Sequence, residues 1–285
     1  MSAALGTPAS TARAGRAPLH AESSGNGAPL VFWHGWASNL RVFDALRAAL
    51  GDQWRTTAID LPGHGRSPWA DDAAAADAEQ LSEQTVSRLL AQMPPRATLL
   101  AWSLGGQLAL RAAARAPDRI ERLVLIGTTP KFLRSDDWPH GASGEALAQM
   151  RARLAEDYRG TVSDFLEMQV RGSRDAAAVH AALRGALLQH GEAQPAALQA
   201  GLALLAATDL RAQLASIQVP ALVIAGQYDR VTASAAGAAL AAMLPQAQFL
   251  EIPRAAHAVF LSHPERLLPP LRVFLGASSV SRPAP

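Results

Sequence analysis

Ala97-Thr-Leu-Leu-Ala-Trp-Ser-Leu-Gly-Gly106 is the segment from which the rest of the chain can be read. An apolar run ends at Trp102. Gly105 and Gly106 then open an alanine- and leucine-rich stretch, so the segment predicts a strand that turns sharply into a helix, with Ser103 at the turn. The pattern approximates G-x-S-x-G, in which small neighbours allow a strained turn to lift a serine hydroxyl above a sheet. Ala101 stands where the first glycine would be and is still small. A serine ahead of a helix also serves as a cap, and this segment alone leaves both readings open.

Outward from this segment, short apolar runs bounded by turn residues alternate with stretches of helical length, which predicts a mostly parallel sheet covered by helices. The expected strands are Pro29–Trp33, Arg55–Ile59, Ala97–Ala101, Arg122–Ile126, Ala221–Ala225 and Gln248–Ile252. The expected helices are Asn39–Leu50, Ser82–Leu90, Gly106–Ala116, Ala233–Met243 and Pro264–Phe274. Between Thr129 and about Ala207 the rhythm changes, and Glu145–Asp157, Thr161–Arg171 and Asp175–Gln189 read as successive helices. The expected organisation is a sheet domain over 19–129 and 207–277, a helical lid over 130–206, a disordered tail at 1–18 and a flexible one at 278–285.

Composition narrows the chemistry. The 285 residues, 49% hydrophobic, suffice for one large core. The net charge is +2, and no basic run or stripe marks a nucleic-acid surface. Almost every basic residue is arginine, Lys131 being the single lysine. The absence of cysteine excludes disulfides, thiolate metal sites and a thiol nucleophile, so a nucleophile must be an oxygen. Met1 to Arg16 lacks the continuous apolar core of a secretory signal, and the uncharged stretch from Val231 to Leu250 is a poor membrane span. A cytoplasmic protein with no membrane or nucleic-acid partner is expected.

A serine hydroxyl needs a neighbouring base, held in the right tautomer by an acid. Asp229 lies just beyond Ala221-Leu-Val-Ile-Ala225, and His257 follows the next expected strand in Pro253-Arg-Ala-Ala-His-Ala-Val-Phe260. Singly, each has a plain alternative, a turn aspartate and a buried loop histidine. Jointly, Ser103, Asp229 and His257 occupy successive strand ends in a chain order known for serine catalysis. Backbone N–H groups of Leu104 and of Trp36, in Val31-Phe-Trp-His-Gly-Trp36, are the expected oxyanion donors, although His34-Gly35 also reads as a tight turn. Asp60-Leu-Pro-Gly-His-Gly-Arg-Ser67 reads as scaffold, since it lacks the Gly-Lys-Ser/Thr pattern of a phosphate loop. No His or carboxylate spacing suits a metal, so neither metal nor cofactor is expected.

These motifs resemble those of the α/β-hydrolases over nearly the whole chain, and among them the pimeloyl-[acyl-carrier protein] methyl ester esterases of biotin synthesis. The narrower similarities are His34-Gly-Trp36, Asp60 to Ser67, Trp102-Ser-Leu-Gly-Gly106, Thr129-Pro-Lys-Phe132 with Asp136-Asp-Trp-Pro139, Phe165-Leu-Glu-Met-Gln169, Thr208-Asp-Leu-Arg211 and Ala255-Ala-His-Ala258. The resemblance implies an α/β-hydrolase fold and a cytoplasmic, cofactor-free, monomeric esterase that removes the methyl group from a pimeloyl chain on acyl carrier protein. It also implies substrate contacts at Trp36, Ser103, Leu104, Phe165, Leu166, Glu167, Met168, Gln169 and His257. A general carboxylesterase on small free esters, and a ligand-binding protein that keeps the fold without turnover, are the alternatives.

Overall fold

A computed structural model of the chain describes residues 17–70 and 76–276, so the expected tails at 1–18 and 278–285 fall outside it except for residues 17 and 18. Seven strands form one sheet in the order β1-β3-β2-β4-β5-β6-β7. They are β1 (Ala21–Ser24), β2 (Ala28–Trp33), β3 (Trp54–Ile59), β4 (Ala97–Trp102), β5 (Ile120–Ile126), β6 (Ala221–Gly226) and β7 (Ala247–Ile252). The six expected strands are all present. β1 pairs antiparallel with β3, and every other pairing is parallel. β1 escapes a reading based on apolar runs because Ala-Glu-Ser-Ser is polar and lies at an edge.

β4 and β6 are buried along their full length, as strands covered on both faces must be. Flanking helices supply that cover: α1 (Asp44–Leu50), α2 (Ala78–Gln92), α3 (Leu104–Arg115), α8 (Ser234–Met243), α9 (Val259–Ser262) and α10 (Pro264–Gly276). The strand order reverses direction between β2 and β4. In an open α/β sheet the ligand crevice lies at such a switch, outside the carboxyl ends of the strands. Ser103 follows one of these two strands and Trp36 follows the other.

Four helices lie between β5 and β6: α4 (Gly144–Glu156), α5 (Tyr158–Val170), α6 (Ala176–His190) and α7 (Pro195–Ala207). Ser143 caps α4 and Asp157 caps α5 through their side-chain oxygens. α7 was not expected from the sequence. Its Pro-Ala-Ala-Leu-Gln-Ala-Gly-Leu-Ala-Leu-Leu-Ala-Ala is apolar nearly all round, so it carries no face-defining period; it packs between α4 and α2.

The neck of this insertion is tied. Lys131 and Asp209 form an isolated antiparallel bridge, and Lys131 Nζ lies 3.3 Å from the Asp209 carboxylate. Arg211 joins Asp209 at 2.7 Å and Asp137 at 2.9 Å, and its guanidinium sits over the Trp138 ring. The Asp-Asp-Trp-Pro and Thr-Asp-Leu-Arg segments are therefore two sides of one clasp. No helix among the described residues is long and apolar enough to cross a membrane.

Candidate active site

Ser103 ends β4 in a conformation that L side chains rarely adopt, with φ 56° and ψ −121°. Such strain persists only where its surroundings enforce it. A Cβ on Gly105 would fall 2.5 Å from the His34 carbonyl, and one on Gly106 would fall 2.0 Å from Thr128 Oγ1. Only glycines let α3 start this close to its neighbours. The Ser103 hydroxyl makes no capping bond to α3. The helix-cap reading of this serine is thereby set aside.

His257 and Asp229 are joined. The two are buried, and His257 Nδ1 lies 2.7 Å from Asp229 Oδ2. The other carboxylate oxygen accepts the N–H groups of Val231 and Thr232, both at 2.8 Å. With Nδ1 donating to the carboxylate, Nε2 carries the lone pair, and it has no partner in the protein. The ring lies against the backbone at Gly127, where a Cβ would come within 2.8 Å of it. Ser103 N donates to the carbonyl of Ile126, the residue before Gly127, at 2.9 Å. Serine, histidine and aspartate thus gather around the end of β5. Trp102 Nε1 adds a bond to the His257 carbonyl at 3.2 Å.

Among the described residues, the backbone N–H groups of Trp36 and Leu104 donate to no other protein group. Leu104 opens α3, where unpaired N–H groups and the helix dipole favour negative charge. The Trp36 side chain is buried, donates from Nε1 to the Leu198 carbonyl of α7 at 2.9 Å, and meets Phe165 edge-on at 4.8 Å.

The five expected insertion contacts divide by helical spacing. Phe165 and Gln169, four residues apart on α5, face the site: the first meets Trp36, and the Gln169 carbonyl accepts the His257 N–H at 3.0 Å. The Gln169 side-chain amide is buried with neither of its polar atoms paired. Leu166 lines a groove between α5 and α6, while exposed Glu167 and half-buried Met168 line a groove between α4 and α5. Asp209 lies in the neck clasp, away from His257.

A second buried His–Asp pair lies elsewhere. Asp60 Oδ2 is 2.7 Å from His190 Nε2, with His20 close by. Asp60 also accepts the N–H groups of Leu40 at 2.8 Å and Arg66 at 3.0 Å, so its oxygens are committed to holding the Asp60–Ser67 loop and the end of α6. A metal ion would have to displace those bonds, and the direct 2.7 Å contact leaves no room for one between the two side chains. Read from the sequence, His190 lacks a strand-end setting, and its pairing with Asp60 is hidden there because the two lie 130 positions apart.

A family model described as alpha/beta hydrolase fold matches residues 28–264. The chain is 41% identical over 252 residues to a pimeloyl-[acyl-carrier protein] methyl ester esterase of Nitrosomonas europaea, covering 88% of this chain and 97% of the relative. It is 40% identical to one of the same name from Xanthomonas oryzae pv. oryzae, covering 91% and 99%. A bromoperoxidase from Bacillus anthracis superposes with a TM-score of 0.81 at 22% identity, covering 91% and 96%, which is likeness of fold alone.

Proposed function

This chain belongs to the family of the alpha/beta hydrolase fold, and from that premise we propose that it is a serine esterase whose substrate is the methyl ester of a pimeloyl chain on acyl carrier protein, cleaved in biotin synthesis. One observation carries the chemistry: a strained serine whose hydroxyl makes no capping bond shares the end of β5 with an imidazole whose tautomer is fixed by a buried aspartate. The substrate rests on the printed names of relatives that the chain covers almost completely.

Ser103 Oγ attacks the ester carbonyl as His257 Nε2 takes its proton, and Asp229 steadies the resulting imidazolium. The carbonyl oxygen becomes an oxyanion held by the Trp36 and Leu104 N–H groups. Collapse breaks the bond to the methoxy oxygen, His257 returns the proton, and methanol leaves. Water, deprotonated by the same imidazole, then attacks the acyl-enzyme, the bond to Ser103 Oγ breaks, and His257 returns the proton to Oγ as the acid leaves. Every proton has a named carrier, so the reaction calls for no cofactor or metal.

The insertion, residues 130–206, acts as the lid. Phe165, Leu166, Glu167, Met168 and Gln169 contact the acyl chain or its entrance, with Trp36, Ser103, Leu104 and His257 around the ester. A cytoplasmic monomer that engages neither membrane nor nucleic acid completes this reading, which the family resemblance supports.

The test compares kcat/KM for pimeloyl-acyl carrier protein methyl ester with that for a short p-nitrophenyl ester, using Ser103→Ala as blank. Strong preference for the carrier-bound ester is expected. Preference for the small ester would replace this reading by a general carboxylesterase. Equal rates for wild type and Ser103→Ala would leave a binding protein.

A further inference from the structure

The two oxyanion donors are held differently. Leu104 N–H is fixed by the start of α3, whereas Trp36 N–H belongs to a loop, and Ala37 after it sits at φ 52°. The Trp36 N–H and the Gly35 carbonyl are two ends of one peptide unit, so whatever fixes that carbonyl fixes the donor. His34 does so: its Nδ1 lies 2.8 Å from Gly35 O. On the other side of the ring, Leu61 N–H donates to His34 Nε2 at 2.9 Å. Since Nε2 accepts, Nδ1 carries the proton and donates to Gly35 O. A Cβ on Gly35 would lie 3.0 Å from Ser103 Cβ, which puts this peptide directly beside the nucleophile.

We propose that His34 is a positioning residue for ester hydrolysis: its neutral imidazole bridges the Asp60–Ser67 loop to the Gly35–Trp36 peptide and holds the Trp36 N–H toward the oxyanion. The inference rests on the serine esterase reading above. A hydrogen bond on the carbonyl also polarises the peptide, which strengthens the N–H at its far end as a donor. The ring is fully buried, and burial lowers its pKa, so the acceptor face at Nε2 persists. The loop with the Gly-His-Gly motif thereby gains a part in catalysis without touching substrate.

Two substitutions separate positioning from mere support. An asparagine amide reaches about as far as Nδ1, so His34→Asn keeps the bond to Gly35 O and loses the one from Leu61. A glutamine amide reaches about as far as Nε2, so His34→Gln does the reverse. His34→Gln is expected to lower kcat by about 10- to 100-fold with KM little changed, less than complete removal of an oxyanion donor. It should weaken a boronic acid inhibitor in parallel, and His34→Asn should restore much of both. Equal kcat in wild type and a folded His34→Gln protein would overturn the proposal. A second measurement needs no variant to fold: 15N spectra of the wild-type imidazoles should show His34 protonated at Nδ1 at neutral pH, and protonation at Nε2 would overturn it equally. Loss of activity in Ser103→Ala checks the underlying reading, so a dead serine variant beside a normal glutamine variant removes this inference alone.

Discussion

His257–Asp229 and His190–Asp60 are the same pair by most measures: both are buried, and both close to 2.7 Å. They differ in where the carboxylate's partners lie and in which segments surround the pair. Asp229 binds the imidazole at Nδ1, takes its backbone N–H groups from its own loop at Val231 and Thr232, and leaves Nε2 without a protein partner at the strand end that also holds a strained serine. Asp60 binds the imidazole at Nε2 and gathers backbone N–H groups from two other segments, while the His190 ring belongs to α6 of the insertion and has its Nδ1 enclosed in the interior. The first pair shares its strand end with a strained serine, and the second joins the insertion to the sheet domain. On the proposed reading, a His–Asp contact is catalytic or structural according to its surroundings, not its distance.

The largest expected effect tests the first half of that contrast. Ser103→Ala or His257→Ala should lower turnover by about 10³-fold or more, while His190→Ala should leave kcat per folded molecule close to wild type. Loss of kcat in a folded His190→Ala protein would break the distinction. Next, Asp229→Asn should cost about 10³- to 10⁴-fold in kcat through the wrong histidine tautomer, with a small change in urea midpoint. Asp60→Asn should behave oppositely, with stability lower by roughly 2 to 4 kcal/mol in urea unfolding, since a committed buried acceptor is altered.

The smallest effect belongs to the neck. The hydrogen bond from Arg211, with help from Lys131, holds the Asp209 pKa down to about 2 from its ordinary 3.8. A carboxylate lowered on folding stabilises the fold above its ordinary pKa and stops doing so as pH falls through the lowered one. Wild type should therefore lose melting temperature between about pH 4 and pH 2, and Asp209→Asn should show a shallower loss over that window. The pair is partly exposed, so the difference is modest.

The His257–Asp229 pair was legible in the sequence and the His190–Asp60 pair was not. Ser103, Asp229 and His257 each follow an apolar strand, and strand ends converge on one edge of a parallel sheet whatever the details of packing. Asp60 also follows a strand, so its place on that edge was readable, but its histidine comes from the end of a helix whose docking depends on tertiary contacts. The same limit hid α7, whose uniform apolarity gives no period, and the role of the His34 ring, which depends on the rotamer that brings Nδ1 onto the next carbonyl. Within α5, spacing distinguishes Phe165 and Gln169 from Glu167, a division that a five-residue motif does not show.

The clasp at the neck has a practical corollary for spectroscopy. Its Lys131 is the chain's single lysine. An amine-reactive dye thus has one side chain to choose, plus the terminal amine, and acylating that side chain removes the charge facing Asp209. Labelling rate at Lys131 becomes a direct clock for how often the clasp releases its ammonium, and the attached fluorophore marks where the insertion leaves the sheet.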